Sequence, residues 1–425
     1  MNPAKSGWLK EFVEYRKATF ELEAEQKKLK LGKHPDQSIY GMVQPTGIMY
    51  GCPVGRYDIP GEYQWTDEGR LKVLLVDSLI NIAELYAEQP IETAEDLEEL
   101  AIKTLESITE FYNGVYSEIS VSLRNWLGQK KNQFATAEHA INKRVALSQD
   151  KNKFFWSSFF SRSQLFLDIY IFGQWSHTKP DSVLLEFFKS EKEELSFTSV
   201  KVMAAAAHAN KKIEEEERIV FEHFITTTGL SVEKKRVAKE YFEHGMGIQE
   251  IPVSDSDPWV IRKFFLEMAV LTIWADKRME DSELEFLSEF NECLGFNSDD
   301  LDVSLLAVEG FLLQNWSALN ALQSKIDYSS VSDEYIDRMV KLTSAHHNRI
   351  ESMVIDDAVM MNTIRKGQSN DLSDAEKQLI REKFFTILKS LPNIGFLMLP
   401  DSFLTYEYML RVIPKDTITK ILSQD

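Results

Sequence analysis

The chain has 425 residues, 44% of them hydrophobic, and a formal net charge of −19. That size allows roughly two to four domains with sizeable cores, and the acidic balance excludes DNA binding through a general surface, because phosphate contacts need a positive face. Two cysteines, Cys52 and Cys293, exclude a disulfide framework or a cysteine metal site and suit a reducing compartment.

Only 12 prolines and 18 glycines are present, which favours long helices over a sandwich or barrel, so an all-α, multi-helical fold is expected. Met1 to Trp8 runs straight into a charged amphipathic stretch without the apolar core of a signal peptide, and a cytoplasmic location follows as an expectation. Residues 8 to 31 carry Trp8, Phe12, Tyr15 and Phe20 at helical spacing. Residues 32 to 66 concentrate glycine and proline, from Pro35 through Gly47 to Gly61, and predict an irregular arm. Its aromatics, among them Tyr40, Tyr50 and Trp65, predict that the arm lies on another surface.

Leu71, Leu74, Leu75, Leu79, Ile82 and Leu85 then recur at three and four, a run closed by Pro90. The next helix is predicted from Thr93 to about Leu127, its first turn made acidic by Glu95, Asp96, Glu98 and Glu99. Between Arg124 and Arg162 the charge reverses: Arg124, Lys130, Lys131, Lys143, Arg144, Lys151, Lys153 and Arg162 oppose only Glu138 and Asp150. This basic island leads into an aromatic segment, Phe154 to Trp175, which Arg162 and Asp168 interrupt. Residues 124–175 could dock on an anionic membrane surface; equally, the cations pair with the protein's own acids and the segment is core. No window supplies the uninterrupted apolar run of a membrane span.

The central third is written twice, about 66 positions apart. Ala209-Asn210-Lys211-Lys212-Ile213-Glu214, Glu217, Phe224 and Gly229-Leu230 return as Ala275-Asp276-Lys277-Arg278-Met279-Glu280, Glu283, Phe290 and Gly295-Phe296. A duplicated helical unit packed on its copy is expected, with a linker at Gly247 to Pro258. The oxygen-bearing residues Asp276, Glu280 and Glu283, and in the first copy Asn210, Glu214 and Glu217, could hold a hard divalent cation. The same residues suit turns, caps and the positive end of a helix. A helix is expected from Val331 to about Ile364. Ser373 and Glu376 then form a capping box ahead of a last helix toward Leu391. His347 and Glu351 share a helix face as a weak ligand pair. There is no Gly-rich phosphate loop, Gly-x-Ser-x-Gly elbow, His-Glu-x-x-His or Cys-x-x-Cys, so no enzyme is expected.

The repeated Ala-[Asn/Asp]-Lys-[Lys/Arg]-[Ile/Met]-Glu-x-x-Glu resembles the TerB-like domain of tellurite resistance, a small helical domain. That resemblance implies an acidic metal-binding surface at Asp276 and Glu283, with Asn210 and Glu217 as the first-copy counterparts. Lys211 and Lys277 stand where the family has glycine. At the C-terminus, Leu391-Pro392, Phe396 to Pro400 and Ile413-Pro414-Lys415 resemble the Letm-type family, whose members have one membrane span and a ribosome-binding-like helical domain. Together they make the chain similar to Letm-related biofilm-associated proteins. The resemblance implies a non-enzymatic accessory or scaffold protein at or near the cytoplasmic membrane face in ion or envelope stress, with a protein partner. A divalent-cation sensor and a ribosome-associated factor are the alternatives. The expected organisation is an arm over 1–65, a helical region over 66–190, the tandem TerB-like unit over 191–325 and a Letm-like helical region over 326–425.

Overall fold

The computed structural model describes residues 1–22, 34–53, 59, 61–123, 131–149, 155–176, 178, 182–210, 218, 221–222, 224–225, 228–274, 279–316, 328–369, 372–391, 394, 397, 399–400 and 405–423, with backbone alone for 155–159, 182 and 368–369. Among these residues the fold is all-α: helices and turns, with no strand. The chain divides into two compact units, Met1–Met268 and Ala269–Asp425, a division that falls inside the segment 191–325.

In the first unit α1 (Trp8–Ala18) turns Trp8, Leu9, Phe12 and Val13 inward, each such burial contributing about 1.5–3 kcal/mol. It packs on α4 (Ala94–Val115) and α5 (Gln133–Leu147). Arg16 shares this buried face because Asp77 and Asn81 of α3 (Asp67–Leu85) receive its guanidinium; an unpaired buried cation would be costly. The 32–66 arm is more regular than its glycines and prolines suggested. It contains α2 (Pro35–Val43) and single 3-10 turns at Gln44–Thr46, Ile48–Tyr50 and Glu62–Gln64. Pro35 opens α2, where its missing N–H is no loss. Tyr40, Ile48, Met49 and Tyr50 are buried. Both tyrosine hydroxyls donate to the buried Glu267 carboxylate, at 2.5 and 2.7 Å.

Thr93 caps α4 as expected, accepting from the Asp96 N–H at 3.1 Å while the Asp96 carboxylate accepts from the Thr93 N–H at 2.9 Å. The helix ends at Val115, short of Leu127. The reason lies in Asn113, whose amide donates to the Val121 carbonyl at 2.9 Å and accepts from its N–H at 2.7 Å, folding the chain back where the helix would have continued. The aromatic segment forms α6 (Phe155–Ser176). Its Leu165, Phe166, Ile169, Ile171 and Phe172 are fully buried, and it packs on α3, α4 and the Ile48–Tyr50 turn. It also meets α7 (Ser182–Ala207), which in turn packs on α8 (Val232–His244). No helix among the described residues is long and apolar enough to cross a membrane.

The first helix of the second copy, α9 (Trp259–Trp274), crosses the division between the units. The second unit continues with α10 (Asp281–Cys293), α11 (Ser298–Gln314) and α12 (Tyr328–Ser344). Every residue of α11 from Leu301 to Leu313 is buried, the acids Asp302 and Glu309 among them. Arg338 and Lys341 of α12 bind Glu309 and Asp302 on α11. The expected helix over 331–364 is instead α12, α13 (His347–Asp356) and α14 (Ala358–Ser369). The Asp357 carboxylate accepts from the N–H groups of Val359 and Met360, both at 3.0 Å, and thereby starts a new helix inside an apparently continuous pattern. Ser373 and Glu376 cap α15 (Asp374–Ser390) as expected, with 3.4 and 3.0 Å contacts. Two short helices follow, α16 (Tyr406–Val412) and α17 (Lys415–Ser423), the second opened by Pro414.

Candidate functional site

The two repeated segments share the geometry of one turn. Gly229 and Gly295 occupy equivalent places and adopt φ of 65° and 70°, a left-handed conformation that costs other residues roughly 1–2 kcal/mol. Two residues on, Ser231 and Asn297 each cap the next helix, α8 and α11. Phe224 and Phe290 are both fully buried. The following helices differ in surroundings: α8 buries only Ala238 and Phe242, whereas α11 is enclosed.

The candidate cation ligands fare unequally. Asp276, Glu214 and Glu217 lie outside the described residues. Glu283 is buried, and its carboxylate accepts from the Glu280 backbone N–H at 2.7 Å, which is the capping role. Asn210 sits in the turn after α7. Among the described residues no three His, Cys, Asp or Glu side chains are grouped to hold a metal ion. The weak pair His347 and Glu351, 3.1 Å apart, is tied to α17 by Lys420, 2.5 Å from the same carboxylate. It pins two helices together.

A different constellation forms in the first unit where α4, α5, α6 and α7 converge. At its base Asp168, fully buried on α6, receives the Arg144 guanidinium from α5, with Nε 2.6 Å away and the terminal nitrogen 3.3 Å. The Tyr112 hydroxyl donates at 3.2 Å, and that of Tyr116 closes the set. Four donors on one carboxylate satisfy a charge that would otherwise be prohibitive to bury. Burial and then the Asp168 charge push the Tyr112 hydroxyl far above its ordinary pKa. Burial also opposes the Arg144 cation, but Asp168 outweighs it and holds the guanidinium firmly protonated.

Above this base lies a pocket of about 70 Å3 lined by Tyr116, Arg144, Ser161, Gln164, Lys192 and Ser196, with Thr228 and Gly229 along one side. Ser161, Gln164 and Asp168 share a face of α6 at i, i+3 and i+7. Lys192 comes from α7, its ammonium 4.5 Å from the Tyr116 ring centroid. Burial, and then the neighbouring Arg144, lower the Lys192 pKa from its ordinary value. A Cβ at Gly229 would also stand 3.2 Å from the Lys192 ammonium, the movable end of a flexible side chain. The polar groups that line it are the hydroxyls of Ser161, Ser196 and Thr228, the Gln164 amide, and the cations Arg144 and Lys192, with Glu118 as the acid.

Sequence reasoning placed Arg144 in the basic island and Asp168 among the interruptions of an aromatic stretch, without joining them. The available signal was a polar stripe, Ser161-x-x-Gln164-x-x-x-Asp168, in an otherwise apolar helix. Of the described island cations, Arg144 pairs with Asp168, and Arg162 reaches Asp67 at 3.5 Å and Gln149 at 2.9 Å. Lys143 donates to the Ser120 carbonyl at 3.2 Å. Compared with family models, with curated proteins and with solved structures, the chain matches none.

Proposed function

We propose that this protein is a non-enzymatic accessory or scaffold protein of the Letm-related class, built on a tandem TerB-like repeat and acting at or near the cytoplasmic face of the membrane in ion or envelope stress. The observation that carries this reading is the shared turn of the two copies: left-handed Gly229 and Gly295, each followed two residues later by a helix cap. A repeated turn that keeps its backbone geometry while the helices after it, α8 and α11, differ in burial supports an architectural role.

The reading is tested by fractionating cells that express the full chain, at low and at high salt, and identifying proteins captured with it by mass spectrometry. Membrane association that salt weakens, with a reproducible protein partner, is expected. A chain wholly in the soluble fraction at both salt concentrations removes the membrane component. Co-sedimentation with ribosomes that depends on residues 372–425 would shift the assignment to a ribosome-associated factor.

A further inference from the structure

We propose that the pocket between α5, α6 and α7 binds a protonated oxyanion of the hydrogen-phosphate class, held by Lys192, Gln164 and Ser196. Three observations converge. Gln164 is 7% exposed, and among the described residues neither its amide nitrogen nor its amide oxygen has a hydrogen-bond partner. A buried primary amide with both ends unsatisfied costs a few kcal/mol, roughly 1–3 per orphaned group, and such a residue is retained where something else completes it. Ser196, 2% exposed, is a buried hydroxyl lining the same pocket. Lys192 has no carboxylate within ion-pair distance among the described residues; its contact is the Tyr116 ring.

The charges around the pocket are arranged for an anion. Arg144 is neutralised by Asp168 beneath it, which leaves the Lys192 ammonium as the cation facing the cavity. Glu118, at the exposed rim, is the opposing acid, and Glu193 is occupied by Lys234 at 3.4 Å. The volume of about 70 Å3 corresponds to about five to seven water positions at ~10–15 Å3 each, far below the ~300–1,000 Å3 of sites for larger organic ligands. A tetrahedral oxyanion or the terminal phosphate of a monoester fits that size.

The chemistry of Gln164 narrows the class. Its NH2 donates, and its carbonyl oxygen accepts. Sulfate at neutral pH carries acceptors alone and would leave Gln164 Oε1 orphaned. Hydrogen phosphate also carries an O–H, which can donate to that oxygen while its other oxygens accept from Lys192, Ser196 and the amide nitrogen.

Calorimetric titration of the full chain with inorganic phosphate, glycerol phosphate and sulfate tests the assignment, with Lys192→Met and Gln164→Leu as variants. Saturable binding of phosphate, and of the monoester in its singly protonated form, is expected, with sulfate bound about tenfold or more weakly. The first arm identifies a free ion and the second a phosphate group on a larger molecule. Lys192→Met weakens binding about 10–100-fold, the range for a charge-assisted hydrogen bond. Gln164→Leu weakens it while leaving the thermal midpoint unchanged or raised, because an orphaned amide has been removed. This second variant keeps the test decisive should the first fail to fold. No saturable binding at millimolar ligand, sulfate bound as tightly as phosphate, or binding that survives both substitutions overturns the proposal.

Discussion

Consider raising the pH across Glu309. This carboxyl lies on α11 with no exposed surface, facing Arg338 Nε at 2.9 and 3.2 Å from its two oxygens. Burial pushes it from the ordinary 4.5 up to about 8; Arg338 pulls downward, and the carboxylates of Glu334 and Asp302 push it up again. Folded protein therefore holds this proton over a range in which unfolded chain has lost it. The sign follows from linkage: the contribution is fully present below the unfolded value and is lost as pH rises through the folded one. Between about pH 5 and about pH 8 the slope is close to 1.4 kcal/mol per unit, or about 4 kcal/mol in total. Glu309→Gln carries no titrating group and should lack this slope, while the other carboxyls contribute equally to both proteins. The read-out is hydrogen exchange of α11 and α12 amides at matched pH, which reports on these helices directly. Parallel protection of wild type and variant across that range, or a wild type that gains on the variant as pH rises, refutes the reasoning. Glu309 would then be ionised in the folded state like an ordinary paired carboxylate.

Three further outcomes follow from the geometry. Arg144→Met leaves the buried Asp168 carboxylate short of its main partner, at a cost of about 3–5 kcal/mol; urea unfolding that shifts by less than about 1 kcal/mol would show that the guanidinium is not what satisfies it. Gly229→Ala and Gly295→Ala each strain a left-handed residue, at roughly 1–2 kcal/mol by thermal unfolding, and Gly229→Ala also presses on Lys192; two neutral substitutions would dissolve the argument that the repeat turns require glycine. Glu283→Ala orphans the Glu280 N–H and costs about 1–3 kcal/mol in buffer stripped of divalent cations. A loss seen only when a divalent cation is present would instead identify Glu283 as a ligand.

The sequence by itself determined the helical class, the duplication and the local punctuation. Thr93, Ser373 and Glu376 announce helix starts through side chain to backbone bonds spanning three residues, and Gly229 and Gly295 announce turns through a backbone requirement, so neighbours suffice to read them. Asn113 and Asp357 belong to the same local chemistry, yet both broke predicted helices, because apolar periodicity continues across them and hides the competing side-chain bonds. Folding alone decided that the arm is anchored by Tyr40 and Tyr50 on Glu267, more than 200 positions away. Only folding, too, brings Tyr112, Arg144, Asp168 and Lys192 to one pocket from four helices. A buried charge needs partners from every direction, and those partners are recruited through space, where no sequence interval records them.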